Sequence, residues 1–390
     1  MTPLAIDGGK PVRSEPLPIS RVEVGARGIA AVTGVLASGQ ISRGSMPLEF
    51  EKRFARMVGA KEGVVVGSGT AALHLAVKSL HLPVGSEVLV PSFTFVATAL
   101  APVYCSLKPV FVEIDPDTLN IDPADLERKI TPKTKAVIPV HYGGRVCDMG
   151  AIGKIAGKHN LKVIEDAAHA IGAKCSGRMV GSLSDMTCFS FYATKNITGG
   201  EGGIITTDSR GLAEGMRLMK AHCMAPLNGL PHASGYYDVT GEGYNYHLSN
   251  LNIALVSSQL GILNDVTKKR REIAAKLSER LSRIACVEVP ASVKDHVYHL
   301  YTIKLNTRML RVSRDKVVEA LLAENIGCGV YYRPVHRFSY FIRRFGAARL
   351  PSTEDVSGRI ITLPIYPLMT DSDINDVCIA VEKVTSFYMK

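Results

Sequence analysis

The chain has 390 residues, of which 46% are hydrophobic and 21% charged, with a formal net charge of +10. That length and apolar content suit a sizeable core and two domains, and no apolar run reaches the roughly 18–20 residues of a membrane span. The opening MTPLAIDGGKPVRSEPLP has no basic start followed by an apolar stretch, so no signal peptide is expected and a cytoplasmic protein is. Eight cysteines fall in no CxxC pair and have no histidine at zinc spacing, which favours free thiols over a metal site. The positive charge is spread along the chain. Its densest run, Lys268-Lys269-Arg270-Arg271, reads as the solvated face of a helix, and no compact patch of the kind nucleic acid requires is present.

From about residue 60 to 210, short β-branched runs alternate with helical stretches. Strands are predicted at 63–66, 87–91, 109–114, 136–141, 162–166, 187–192 and 203–207, and helices at 71–80, 95–104, 124–130 and 149–159. This alternation predicts an α/β layered domain with a mostly parallel sheet, whose ligands bind beyond the carboxyl ends of the strands. Residues 224–246 read as a long loop, and long loops in compact domains are usually functional. A helix follows over 248–284, broken near 263–265. A small α/β unit comes next, with strands at 298–305 and 329–332 and helices at 315–324 and 372–385. The domain division expected is 1–255, large, and 256–390, small.

Four segments in this frame carry candidate chemistry. Gly67-Ser68-Gly69-Thr70-Ala71 leaves a strand and opens a helix, which suits either a phosphate site or an ordinary helix cap. Phe95 follows the strand at 87–91; an aromatic there can stack on a flat ring or simply pack. Asp166 ends the strand at 162–166, where a carboxylate can keep a pyridine nitrogen protonated or cap the next segment. Lys195 sits between an aromatic strand and the glycine-rich turn 199–203, and a lysine held from water there is nucleophilic near neutrality. Ser190 precedes it, placed to face a phosphate. Each segment is ambiguous alone. Together, a phosphate turn, an aromatic, an acid and a lysine after successive strands form the set that pyridoxal phosphate requires.

The stretches GSGTAALHLA, PSFTFVATA, IEDAAHAIGA, FSFYATKNITGGEGG, GYNYHLSNLNIAL, GVYYRPVH and LPIYP resemble the DegT-type sugar aminotransferases of the aspartate aminotransferase fold, over nearly the whole chain. The resemblance implies pyridoxal 5'-phosphate as cofactor, with Lys195 as the lysine that bonds it and Asp166 as the partner of its ring nitrogen. It implies that His169 contacts the ring hydroxyl and Phe95 stacks on the ring. Thr70, Ala71 and Ser190 would hold the phosphate, and Asn245 would reach the phosphate of a neighbouring subunit in a homodimer with shared sites. His336 and Tyr332 would lie near substrate. Relatives that dehydrate at C3 carry histidine at the lysine position, so Lys195 favours transamination.

The implied reaction moves an amino group, with glutamate as donor, to the C4 ketone of a nucleotide-linked keto-sugar, for amino-sugar or surface-polysaccharide synthesis. Two departures bear on the sugar: Asn250 stands where the family often has an acid, and Tyr331-Tyr332 where it has His-Tyr or His-Phe. The opening LAIDGGKPVR is similar to a branch acting on keto-cyclitols such as scyllo-inosose, which supplies the alternative acceptor. A regulatory or binding protein that kept the fold without turnover is the remaining contrast, and it predicts bound cofactor without amino transfer.

Overall fold

The computed structural model describes residues 3–42, 44–227 and 235–390. The predicted alternation builds a seven-stranded sheet from β1 (Glu62–Val66), β2 (Glu87–Pro91), β3 (Lys108–Val112), β4 (Thr134–Val137), β5 (Lys162–Asp166), β6 (Met186–Ser190) and β7 (Gly203–Thr207). Their order across the sheet is β1-β7-β6-β5-β4-β2-β3. Strand β7 pairs antiparallel with both neighbours, and all other pairings are parallel. The central strands are buried along nearly their whole length, as expected of a sheet covered on both faces. Because β1, β2, β4, β5 and β6 point the same way, the segments that follow them emerge at one edge of the sheet.

Helices α1 (Gly25–Ser38) and α2 (Met46–Val58) precede the sheet, and the crossovers carry α3 (Gly69–Lys78), α4 (Val96–Tyr104), α5 (Pro123–Arg128), α6 (Met149–His159) and α7 (Arg210–Met219). Residues 228–234 of the expected loop lie outside the described residues. Its flanks form a short antiparallel pair, Met224–Pro226 with Tyr237–Val239. The expected long helix is divided one turn earlier than read. Helix α8 (Asn250–Gln259) passes through a 3-10 turn, Leu260–Ile262, into α9 (Leu263–Leu281).

A second core gathers α9, α10 (Arg314–Ala323), α11 (Asp371–Tyr388) and an antiparallel sheet of β8 (Val287–Glu288), β9 (Tyr301–Leu305) and β10 (Ile360–Leu363). The predicted strand at 329–332 is a single bridge, Gly329 to Thr362, and the strand that pairs with β9 on that side is β10. Helix α9 buries Leu263, Thr267, Arg270, Ile273, Ala274, Leu277 and Leu281, a stripe with the three-and-four spacing of one helical face. Each fully buried Leu or Ile of that stripe contributes about 1.5–3 kcal/mol.

Leu4 and Leu17, although N-terminal, belong to this second core. The amides of Ala5 and Val12 donate to the two carboxylate oxygens of Glu324 at 2.9 and 2.8 Å, and the Gly327 amide donates to the Leu17 carbonyl at 2.8 Å. The segment then runs on to Ile19 and Ser20 at the rim of the principal cavity. In the other direction, Val335, Phe341 and Leu350 pack into the core of the large sheet. Among the described residues no helix is long and apolar enough to cross a membrane.

Candidate active site

A cavity of 480 Å³ opens at the common carboxyl edge of the large sheet, between that sheet and the second core. Of the residues singled out in the sequence, Thr70, Phe95, Asp166, His169, Ser190, Lys195 and Tyr332 line it. Sequence neighbours explain why. Asp166 is the last residue of β5, Ser190 the last of β6, Ser68–Thr70 follow β1, and Phe95 caps α4 after β2.

Lys195 is reached by a tight turn whose amide donates to the Tyr192 carbonyl at 3.0 Å. The residue is partly open to the cavity, but its ammonium lies deep enough that burial lowers its pKa from 10.5 to about 8, with Asp166 opposing the shift. Asp166 accepts from the Thr98 hydroxyl at 2.7 Å and from the Ala168 amide at 3.2 Å. With the Thr98 proton committed to the carboxylate, Thr94 is the donor in the Thr94–Thr98 contact at 2.8 Å. Burial raises the Asp166 carboxyl above its ordinary range in spite of these bonds and of Lys195 and His141 nearby. A positive ring nitrogen beside it would reverse that shift.

His169 accepts at Nδ1 from the Gly143 amide at 3.3 Å, which leaves Nε2 as donor toward the Tyr332 hydroxyl at 3.2 Å. Burial and the Lys195 charge lower its pKa well below 6.5, so the ring is neutral. His299, which the sequence did not bring to notice, lies against it with ring centroids 4.4 Å apart and donates to Asn196 Oδ1 at 3.2 Å. Burial, then Lys195, hold His299 neutral as well.

At the other end of the cavity, Ser68 caps α3 by accepting from the Ala71 amide at 3.1 Å. A side chain at Gly69 would place its Cβ 2.9 Å from Ser190 Cβ, so glycine keeps this corner open. An open corner at a helix N-terminus, flanked by two serines and a threonine, suits a phosphate. The observed residues fit pyridoxal phosphate: an anion site, a buried carboxylate with no salt-bridge partner among the described residues, and a lysine of lowered pKa share one cavity.

Three expected positions lie elsewhere. Ala71 is buried inside α3 with its amide taken by Ser68, and it does not line the cavity. Asn245 is exposed and outside this chain's own cavity, its backbone bridged to Ala221. His336, expected near substrate, is not among the residues that line the cavity. The ring is 1% exposed, its Nδ1 lies 2.6 Å from Ser92 Oγ and its Nε2 2.9 Å from Glu354 Oε1. The Ser92 contact fastens the 334–338 segment to the end of β2, and the Glu354 contact ties it to the helix Pro351–Ser357. Phe95 stands at the cavity mouth, 55% exposed, with its ring 6.1 Å from that of Tyr332. Asn250 is buried and donates to the Gln40 carbonyl at 2.6 Å.

Comparison with known proteins gives this geometry its context. Residues 23–382 match the model of the DegT/DnrJ/EryC1/StrS aminotransferase family. The spore coat polysaccharide biosynthesis protein SpsC of Bacillus subtilis is 42% identical over 380 residues, covering 95% of this chain and 98% of SpsC. Helicobacter pylori PseC, an aminotransferase involved in the biosynthesis of pseudoaminic acid, superposes with a TM-score of 0.91 at 27% identity, covering 96% of this chain and 100% of PseC. DesI, solved in the presence of its TDP-sugar product, gives a TM-score of 0.88 at 32% identity, covering 98% of this chain and 96% of DesI. The similar structures also include the PLP form of a Streptococcus pneumoniae protein, with a TM-score of 0.89 at 25% identity over 96% of this chain and 100% of that one. The chain belongs to the DegT/DnrJ/EryC1/StrS aminotransferase family, whose members are pyridoxal-phosphate-dependent sugar aminotransferases.

Proposed function

We propose that this enzyme transfers an amino group from glutamate to the C4 ketone of a nucleotide-linked keto-sugar, feeding the synthesis of a surface polysaccharide. The observation that carries the reading is the lysine of lowered pKa facing a buried carboxylate across one cavity. The names of its relatives support the acceptor: DesI was solved with a TDP-sugar product, and SpsC serves polysaccharide biosynthesis. The proposal includes a cytoplasmic homodimer in which Asn245 serves the partner's site. It also includes a division at 255/256, with the N-terminal segment docked on the second unit.

When bound, pyridoxal phosphate supplies an electron sink for the carbanion formed at the amino-bearing carbon. The protein does the rest. Ser68, Gly69, Thr70 and Ser190 would hold the cofactor's phosphate at the start of α3. Asp166, fixed by Thr98 and the Ala168 amide, would keep the proton on its ring nitrogen. His169, neutral and held by Gly143 and Tyr332, would face its ring hydroxyl. Phe95, at the mouth, would cover that ring. Lys195 takes the proton from the donor carbon and returns it on the other side of the exchange, a task suited to an amine whose pKa is about 8.

The test is a pair of half-reactions on the holoenzyme. Glutamate should bleach the visible absorbance of the bound cofactor, and one member of a panel of UDP-, GDP- and dTDP-linked 4-keto sugars should restore it. Restoration by scyllo-inosose alone would replace the sugar reading with the keto-cyclitol one. Failure of glutamate to bleach the band would refute the donor.

A further inference from the structure

Arg270 stands in the middle of a run of four basic residues, yet its side chain is buried on the inner face of α9 and lines the active-site cavity. Its Nη1 donates to the carbonyls of Tyr298 at 3.0 Å, His299 at 3.4 Å and Ile365 at 3.0 Å. Its Nε has no hydrogen-bond partner among the described residues. No carboxylate pairs with it among those residues either. The acids that line the cavity are Asp166, already engaged by Thr98, and Glu201, which is exposed.

Burial lowers the pKa of this guanidinium only to about 10, so it stays charged at neutral pH. A buried, charged and under-satisfied guanidinium is costly unless an anion completes it. Planar, multi-donor geometry makes arginine suited to carboxylates. Position selects which anion. Arg270 donates to the His299 carbonyl, the His299 ring lies 4.4 Å from that of His169, and Lys195, His169, His299 and Arg270 all line the one cavity. An amino acid carries a carboxylate next to the carbon that must react at Lys195. A nucleotide diphosphate is separated from its keto carbon by part of a sugar ring and belongs nearer the mouth.

We propose that Arg270 binds a carboxylate of the amino donor and so restricts the first half-reaction to amino acids. This rests on the aminotransferase reading of the cavity. In that state the three carbonyls and the substrate carboxylate together surround the guanidinium, and the donor is held with its amino group toward Lys195.

The test compares holoenzyme of wild type and Arg270→Gln with three probes: glutamate, its α-amide isoglutamine, and its side-chain amide glutamine. Bleaching of the cofactor band gives kcat/KM for each, and a cofactor titration and melting curve report on the rest of the site. In wild type, one of the two amides should be on the order of a hundredfold poorer than glutamate, as for loss of a buried charge pair. In Arg270→Gln, glutamate should fall by a similar factor and the discrimination against that amide should disappear, with cofactor affinity within about threefold of wild type. Undiminished discrimination in Arg270→Gln would overturn the proposal, as would equal tolerance of both amides by wild type. If Arg270→Gln does not fold, Arg270→Lys carries the test. Loss of glutamate activity by about tenfold or more at unchanged cofactor affinity supports the role, and no loss refutes it. A wild-type enzyme that responds to no amino donor would instead refute the reading of the cavity itself.

Discussion

The lysine at the centre of the cavity should cost the cofactor-free protein stability, and the cost should titrate. Burial lowers the Lys195 pKa from 10.5 to about 8. That difference corresponds to about 3 kcal/mol by which the folded state disfavours the ammonium relative to the unfolded chain. Lys195→Met removes the charge while keeping a flexible apolar stem. At pH 7 the cofactor-free variant should therefore be more stable than wild type by up to about 3 kcal/mol. The sign follows from proton counting. Between pH 8 and 10.5 the unfolded lysine binds more proton than the folded one, so wild-type stability rises with pH across that window. The gap to Lys195→Met should then close by about 1.4 kcal/mol per pH unit and vanish above about 10.5. Urea unfolding of both proteins, at fixed protein concentration and at several pH values from 7 upward, measures it. Packing differences do not titrate, so they shift the gap without tilting it. A gap that stays flat from pH 7 to 10 would refute the burial argument for Lys195, and with it the account of why this amine is reactive.

Asp166→Asn should slow the glutamate half-reaction on the order of a thousandfold, read by stopped-flow absorbance, because an amide cannot balance a protonated ring nitrogen. Gly69→Ala should weaken cofactor retention at least about tenfold, measured by fluorescence titration, since its Cβ would meet Ser190 Cβ at 2.9 Å in the phosphate corner. His336→Ala should destabilise the protein by about 1–3 kcal/mol in urea unfolding while leaving the donor KM unchanged. It strips partners from Ser92 and Glu354 without touching the cavity.

What the sequence made legible was local. Asp166 and Lys195 announce themselves because the strand that places each one, and the turn that follows, are contiguous with it. The α/β alternation by itself places both at the carboxyl edge of the sheet. What stayed hidden depends on contacts across the chain. Thr98 binds Asp166 from another crossover, and nothing in PSFTFVATA marks its hydroxyl for that task. His299 reaches the cavity from the second core, among residues whose pattern reads only as a strand start. His336 went the other way: its motif suggested substrate, but Ser92 and Glu354 claim both ring nitrogens.

Arg270 was misread for an instructive reason. Counted with Lys268, Lys269 and Arg271, it looks like one quarter of a solvated patch. Counted along the helix, it falls on the stripe of Leu263, Thr267, Ile273 and Leu277. Helical spacing, applied to the charges as well as to the apolar residues, would have placed it inside.

The docking of residues 4–17 on the second core has a practical consequence for anyone recombining enzymes of this kind. A chimera that exchanges everything after the helix break would inherit a foreign surface for Leu4, Leu17 and the amides that seek Glu324. The same exchange would split Val335 and Phe341 from the sheet core they help fill. A graft intended to change the acceptor must therefore take both chain ends from one parent and cut inside the sheet crossovers, so that the N-terminal clasp and its receptor travel together.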